Sequence, residues 1–313
     1  MRRLPFIIMA IVGLTLTVAC RTTDKESDTV PDNALKIGYL PSADALPYMV
    51  AEQMGVYDSL ELDVRFVPMS GPVERDTTFI HHGTDGLLLS LAESCRLQQD
   101  SVDIVPAAAT VNNAYLMVPY DSNFVSLKYL YGKTVGLHLY SSDQQFMDHV
   151  LERGQMTAED VNLINIGDAR TRLQMLLNGQ LDAAVLPDPQ ATYARADSCI
   201  LLAVSAVYGT EHDVLAFSDS TLLQREDEIR RLIIGYNRAV DYMNQQPASQ
   251  WLRTASTRMG LPADSLNKKR APFAHMTSIT PQMKADTQEW INSKELLPRK
   301  QGNFRTANIE LEN

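Results

Sequence analysis

Lys36-Ile37-Gly38-Tyr39-Leu40-Pro41-Ser42-Ala43-Asp44-Ala45-Leu46-Pro47-Tyr48, running on through Val50-Ala51-Glu52 to Leu62-Asp63-Val64-Arg65-Phe66-Val67, decides the fold. Lys36–Leu40 reads as a strand, Pro41 and Pro47 break a loop, a helix runs through Ala51, and a second strand lies near Leu62–Val67. A strand, a helix and a strand in succession form the crossover unit of a parallel sheet. In open α/β sheets ligands sit at the carboxyl ends of strands, beside helix N-termini whose first N–H groups lack intrahelical partners. The loop here carries Ser42 and Asp44, so a small-molecule site is expected from the first element onward.

The same construction recurs. Strand Asp63–Val67 leads to Ser70-Gly71, a helix containing Val73–Ile80, then His82-Gly83-Thr84-Asp85-Gly86 and the apolar strand Leu87-Leu88-Leu89. In the second half, strand Val161–Ile166 leads to Gly167-Asp168, a helix through Leu173, Leu176 and Leu177, then Asn178-Gly179-Gln180-Leu181-Asp182 and Ala183-Ala184-Val185-Leu186. The glycine after each helix is expected as a left-handed C-cap, and Asp85 and Asp182 as turn or cap residues feeding buried strands. A unit repeated in two halves implies two similar lobes closing as a clamshell. Tyr115–Val118 is expected as the strand leaving the first lobe, and Asp213–Phe217 as the strand returning to it. Residues 35–120 and 208–313 then form lobe one, and residues 121–207 form an inserted lobe two. The C-terminal third is helical: Ile229, Leu232, Ile233, Tyr236, Val240 and Met243 recur at helical spacing. Pro247 opens a helix carrying Trp251 and Leu252, Met259-Gly260-Leu261-Pro262 ends it, and Asp264 starts the next. Thr280-Pro281 caps a helix through Trp290 and Ile291, and both tryptophans are expected in core packing.

The N-terminus has the shape of an export signal: Arg2 and Arg3, an apolar run from Leu4 to Val18, then Ala19-Cys20. Residues 1–19 are read as a lipoprotein signal peptide and Cys20 as the lipid-modified residue, with Thr17 standing where leucine is usual. Residues 20–34 are polar and without periodicity, which suits a flexible tether. With 28 Lys and Arg against 38 Asp and Glu, the formal net charge is −10, and no basic stripe favours nucleic acid as a partner. Cys95 and Cys199 fall in different lobes, and a bridge between them would lock a hinge that must move. Two separately buried thiols are therefore expected.

Gly38-Tyr39-Leu40-Pro41, Ala45-Leu46-Pro47-Tyr48, Val50-Ala51-Glu52 and Gly55-Val56-Tyr57 together resemble the opening of the nitrate, sulfonate and thiamine-precursor type of periplasmic binding proteins, the ligand receptors of ABC importers. The order and spacing of later elements extend the likeness over nearly all the mature chain. The resemblance implies an α/β fold of the type II periplasmic-binding-protein class, two lobes joined by a two-strand hinge. It also implies a small-molecule ligand, an ABC permease as partner, no cofactor, and a monomer exported to the periplasmic or extracellular side and anchored through Cys20. No P-loop, dinucleotide fingerprint, zincin motif or nucleophile elbow appears. His81-His82 cannot share a metal, since adjacent helix residues diverge by about 100°. Polar residues at strand ends are the candidate ligand contacts: Ser42, Asp44, Ser70, Ser90 and Asn113, with Ser141 and Ser142 in the family's serine-containing loop. Ser142 and Asp143 are equally readable as caps of the next helix. Asp188-Pro189 matches the family's acidic residue followed by proline. An acid there and at Asp44 favours an amine-bearing ligand, such as a thiamine-precursor-like pyrimidine, with Tyr39, Tyr48, Tyr140 and Tyr193 available as aromatic faces. Two alternatives stay open: an enzyme on the same fold, similar to pyrimidine synthases or menaquinone-pathway proteins, and a ligand-sensing module.

Overall fold

The computed structural model describes residues 33–120, 126–253, 257, 272–294, 303–307 and 309. The signal peptide, Cys20, nearly all of the tether, the turn at 259–262 and the helix start at Asp264 lie outside the described residues. Among the described residues no helix is long and apolar enough to cross a membrane.

Ten strands follow in chain order: β1 (Leu35–Tyr39), β2 (Val64–Pro68), β3 (Gly86–Ser90), β4 (Val105–Val111), β5 (Ala114–Pro119), β6 (Thr134–Leu137), β7 (Asn162–Asn165), β8 (Ala183–Pro187), β9 (Cys199–Val204) and β10 (His212–Phe217). Between and after them run α1 (Leu46–Gln53), α2 (Val56–Ser59), α3 (Pro72–Ile80), α4 (Leu91–Gln99), α5 (Ser142–Arg153), α6 (Ala169–Leu177), α7 (Gln190–Ala196), α8 (Asp219–Gln224), α9 (Glu226–Gln245) and α10 (Pro281–Ser293). The strands form two five-stranded sheets, ordered β2-β1-β3-β10-β4 and β7-β6-β8-β5-β9. In each, the first three strands are parallel and the last two pairings antiparallel. The two antiparallel insertions are exchanged along the chain. β10 comes after the second sheet but completes the first, while β5, expected as the last strand of lobe one, is hydrogen-bonded between β8 and β9 of the second. The first crossing therefore falls at Asn112-Asn113, ahead of β5.

The duplicated module is visible in its bonds. Lys36 N donates to Asp85 Oδ2 at 2.7 Å while Asp85 N donates to the Lys36 carbonyl at 2.8 Å. Thr134 N likewise donates to Asp182 Oδ2 at 2.9 Å and Asp182 N to the Thr134 carbonyl at 3.0 Å. Each aspartate thus closes the first rung of the neighbouring strand, the turn role expected of it. The left-handed residue differs between the halves. In the second it is Gly179 (φ 69°), but in the first it is His82 (φ 58°) rather than Gly83. Gly83 is required for room, because a Cβ there would lie 2.6 Å from Thr78 Cγ2 and 3.1 Å from the Thr78 carbonyl oxygen.

Both sheets are covered on both faces, which is why their strands read as unbroken apolar runs. In β3, Leu88 packs with Tyr48, Met49, Ile233 and Tyr236, while Leu87 and Leu89 face Phe79, Cys95, Val214 and Ile291. The second sheet repeats this with Val135, Phe146 and Val150 on one side and Leu173, Leu176 and Leu186 on the other. Removing one such leucine side chain costs about 2–5 kcal/mol, so these layers dominate stability. The helical spacing from Ile229 to Met243 becomes the buried face of α9. Trp251 is buried in the first core and Trp290 half-buried on the second face of the same sheet. The segment expected as a helix from Pro247 begins instead as a single 3-10 turn, Ala248–Gln250. Cys95 and Cys199 are both free and buried in different clusters.

Candidate functional site

The carboxyl ends of β1, β2 and β3 meet those of β6, β7 and β8 around a cavity of about 260 Å³. Ser42, Asp44, Ser70, Ser90, Ser141 and Ser142 all line it. Asn113 and Asp188 do not, and their neighbours Asn112, Pro187 and Gln190 take the place expected for them. Asp188 is occupied at the start of α7, where Oδ1 accepts from Thr192 N at 3.2 Å and Thr192 Oγ1 at 2.8 Å. None of Tyr39, Tyr48, Tyr140 and Tyr193 lines the cavity, and Tyr39 and Tyr48 are built into the first core. Aromatic stacking on tyrosine is thus not offered to a ligand there.

Two of the five serines cap helices through their side chains. Ser90 caps α4 in a reciprocal box: Glu93 N donates to Ser90 Oγ at 3.2 Å, and Ser90 N donates back to Glu93 Oε2 at 3.0 Å. Ser141 caps α5, with Asp143 N donating to its Oγ at 3.1 Å while that hydroxyl donates to the His138 carbonyl at 2.8 Å. Ser70 donates through N and Oγ to Glu74. The cap expected at Ser142 or Asp143 falls one residue earlier, on Ser141, which also lines the cavity.

Two buried arginines, absent from the sequence-based candidates, flank the cavity. Arg75 of α3 donates to Asp76 Oδ1 at 2.8 Å and to Glu93 Oε1 at 2.6 Å. Burial opposes its charge, yet Glu93 and Asp76 hold its pKa above the ordinary value. Burial also opposes ionisation of Glu93, but Arg75 and His138 keep that carboxyl well below the usual range. Arg172 of α6 donates to the carbonyls of Val185 at 2.8 Å and Ile166 at 2.6 Å, and to Asp143 Oδ2 at 2.9 Å. Arg172 thus uses all three of its nitrogens within the protein, whereas Arg75 uses Nε and Nη2. His138, at the end of β6, brings Nδ1 to 3.4 Å from Glu93 Oε1. Burial lowers its pKa against the pull of Glu93 and Asp143.

Asp44 and Asp213 are different. Both line the cavity, at 2 % and 9 % exposure, and among the described residues neither makes an ion pair. Burial pushes Asp44 up to about 6, against hydrogen bonds from Ser42 Oγ and nearby backbone N–H groups. Burial raises Asp213 well above its ordinary value and the Asp44 charge adds to this, while a 2.7 Å hydrogen bond from Asn112 Nδ2 works the other way. Two buried acids without a cationic partner thus face one cavity, each held above its ordinary pKa. Asp213 was hidden in the sequence inside an apolar strand. Arg75 and Arg172 did leave a signal: each stands four residues after the N-cap of the corresponding helix, Gly71 in one module and Asp168 in the other. Among the described residues no group of three or more His, Cys, Asp and Glu is placed to hold a metal ion.

Known structures share this architecture. The alkanesulfonate-binding protein SsuA from Xanthomonas axonopodis pv. citri, bound to MOPS, superposes with a TM-score of 0.73 at 18% identity, over 85% of this chain and 94% of that one. The periplasmic aliphatic sulphonate binding protein SsuA from Escherichia coli gives 0.72 at 16% identity, over 90% and 96%. The desulfurization enzyme DSZB gives 0.56 at 13% identity, over 82% and 90%. At such identities the likeness is one of fold, the two-sheet α/β fold of type II periplasmic binding proteins. No curated protein sequence matches the chain. Residues 42–250, which hold both crossings between the sheets and all of the second sheet, match the NMT1/THI5-like family, and the chain belongs to that family.

Proposed function

We propose that the protein is the substrate-binding component of an ABC import system, capturing a small amine-bearing molecule between two lobes. The observation that carries this reading is the pair Asp44 and Asp213, buried at the cavity without a cationic partner. A sulfonate or nitrate would meet the two carboxylates, while Arg75 and Arg172 already pair with Glu93, Asp76 and Asp143. An ammonium or amidinium group would neutralise the carboxylates and draw both toward ionisation. Family membership and the fold shared with sulfonate-binding proteins support the transport role.

On this reading the open form exchanges ligand, and closure gains free energy from contacts made to both sheets at once. Ser42, Ser70 and Ser90 present the first sheet's side of the cavity, and Ser141 and Ser142 the second's. The lobes are residues 35–113 with 208–313, and residues 114–207. Export and a lipid on Cys20 would hold the protein beside its permease. The amine remains the recognised group, whereas ring stacking on tyrosine is dropped.

Thermal shift against primary amines, aminopyrimidines, sulfonates, amino acids and nitrate tests the reading. A ligand at a hundred times its dissociation constant adds about 2.7 kcal/mol, a clear rise in midpoint. Stabilisation by amines alone supports it, and stabilisation by sulfonates or nitrate alone overturns the amine assignment. Turnover of any compound would move the protein to the enzymes of this fold.

A further inference from the structure

We propose that Asp148 is a positioning residue outside the cavity: with Trp290 and Lys294 it latches the two halves of the fold in the closed arrangement before any ligand arrives. This rests on the solute-binding reading above, which makes closure the event that matters, and it is tested without a ligand.

Asp148 lies on α5, whose apolar face packs on the second sheet through Phe146, Met147 and Val150. Trp290 lies near the end of α10, where it and Ile291 pack on the first sheet with Leu87 and Leu89. A half-buried tryptophan is an apolar body with one N–H to place. Here Trp290 Nε1 donates to Asp148 Oδ2 at 2.8 Å. Lys294, the C-cap of α10, donates through Nζ to the same oxygen, and that Nζ stands 5.1 Å from the centre of the Trp290 ring. Four residues apart on a helix, the indole and the ammonium share one face. One carboxylate oxygen thus takes two donors from the other half of the fold. Charge-assisted bonds of this kind are about twice as strong as neutral ones.

None of the three residues lines the cavity. That separates them from Ser142 N to Ser90 Oγ at 3.4 Å, His138 Nδ1 to Glu93 Oε1 at 3.4 Å and Gln190 Nε2 to the Pro41 carbonyl at 3.2 Å. Those contacts also join the two halves, but they are longer and are made by residues of the cavity wall. A ligand in the cavity meets that wall and does not reach the latch. The chain leaves the first sheet at Asn112-Asn113 and returns to it with β10. Rotation about these crossings carries α5 with the second sheet and leaves α10 with the first, so the Asp148 bonds are made in one arrangement and broken in the other. Contacts present in one state alone shift the equilibrium toward it. A larger closed fraction then raises the apparent affinity of every ligand by the same factor.

Small-angle scattering of the ligand-free full chain, with circular dichroism to confirm the fold, tests this. Asp148→Ala removes both bonds, and the ratio of open to closed protein fitted to the curves should rise about tenfold or more, with a larger radius of gyration. Asp148→Asn keeps an acceptor for the indole and loses the charge, so it should fall between the parent and Asp148→Ala. Raising NaCl from about 0.1 M to about 1 M shortens the screening length from about 10 Å to about 3 Å. That should expand the parent and leave Asp148→Ala unchanged. Trp290→Phe keeps the ring and removes the N–H; it should expand the chain as well, and it serves if the Asp148 variants fail to fold. One radius of gyration across the parent and all folded variants would overturn the latch and leave the solute-binding reading standing. Failure of every solute to stabilise the protein would sink that reading without altering the scattering result.

Discussion

Asp44 should be a residue that the fold would be more stable without. Its carboxyl is 2 % exposed and its pKa is raised from the ordinary 3.8 to about 6, with burial as the main cause. A folded-state value above the unfolded one means that the native protein holds the proton more tightly between those two pH values. Stability is then fully present below about pH 4, falls as pH rises through the window, and stays lower above pH 6. At about 1.4 kcal/mol per pH unit the separation is worth about 3 kcal/mol. Asp44→Asn keeps the acceptor that Ser42 uses and removes the charge. Urea denaturation should find the variant about 3 kcal/mol more stable than the parent at pH 8 and equal to it near pH 3.5. The same variant should lose affinity for a cationic ligand, since half of the carboxylate pair is gone. A variant no more stable than its parent at pH 8, or a stability difference independent of pH, would refute the buried, unpaired carboxylate.

A Cβ at Gly167, after β7, would stand 2.9 Å from Pro72 Cδ and 3.0 Å from Cγ at the start of α3. Because a proline ring cannot swing aside, Gly167→Ala should cost closure about 1–3 kcal/mol. Calorimetry would read this as about tenfold or more in affinity, and small-angle scattering as a larger radius of gyration with ligand. Unchanged values in both would show that closure does not bring these atoms together. Asp188→Ala should cost about 1 kcal/mol of stability, through the lost bonds to Thr192 at the start of α7. Affinity for amines should stay the same, and a drop of tenfold or more would put Asp188 back in the site.

Sequence reading reached the fold because its determinants are local or periodic. The strand and helix sequence around Lys36–Val67, the paired modules and the apolar face of α9 all reappear. The assignment of β5 failed for a topological reason. An apolar six-residue strand looks alike in either sheet, and its pairing with β8 and β9 is set by partners some seventy and more residues away. Six of the eight candidate ligand contacts line one cavity, since strand-end loops are forced there by the sheet. Asn113 and Asp188 were displaced by a single register step each. A side chain one residue along a strand or turn points to another side, and spacing alone does not say which. Asp213 was invisible because a lone acid in an apolar strand looks like an edge position until its burial is known.

The two modules also explain how an unpaired acid arises from a repeat. Ser42-x-Asp44 follows β1, and Ser141-x-Asp143 follows β6, the strand in the equivalent place of the other sheet. Arg75 and Arg172 occupy the same position of α3 and α6. In the second half the symmetry is satisfied within the module, with Arg172 pairing with Asp143 at 2.9 Å. In the first half Arg75 is taken instead by Glu93 at 2.6 Å and by its neighbour Asp76 at 2.8 Å. Glu93 is the third residue after the α4 N-cap, a place held in α7 by Thr192, which offers no charge. Asp44 is left without the arginine its counterpart has, although Arg75 still lowers its pKa from a distance. Glu93→Gln should therefore release Arg75 toward Asp44. The substitution itself should cost on the order of 3 kcal/mol, because it breaks a buried pair. In that background Asp44→Asn should no longer stabilise: its gain at pH 8 should fall from about 3 kcal/mol to under about 1 kcal/mol, a coupling within the range of contacting charges. A gain from Asp44→Asn that is the same in both backgrounds would show that Arg75 cannot reach Asp44. The unpaired acid would then owe nothing to the competition between Glu93 and Asp44.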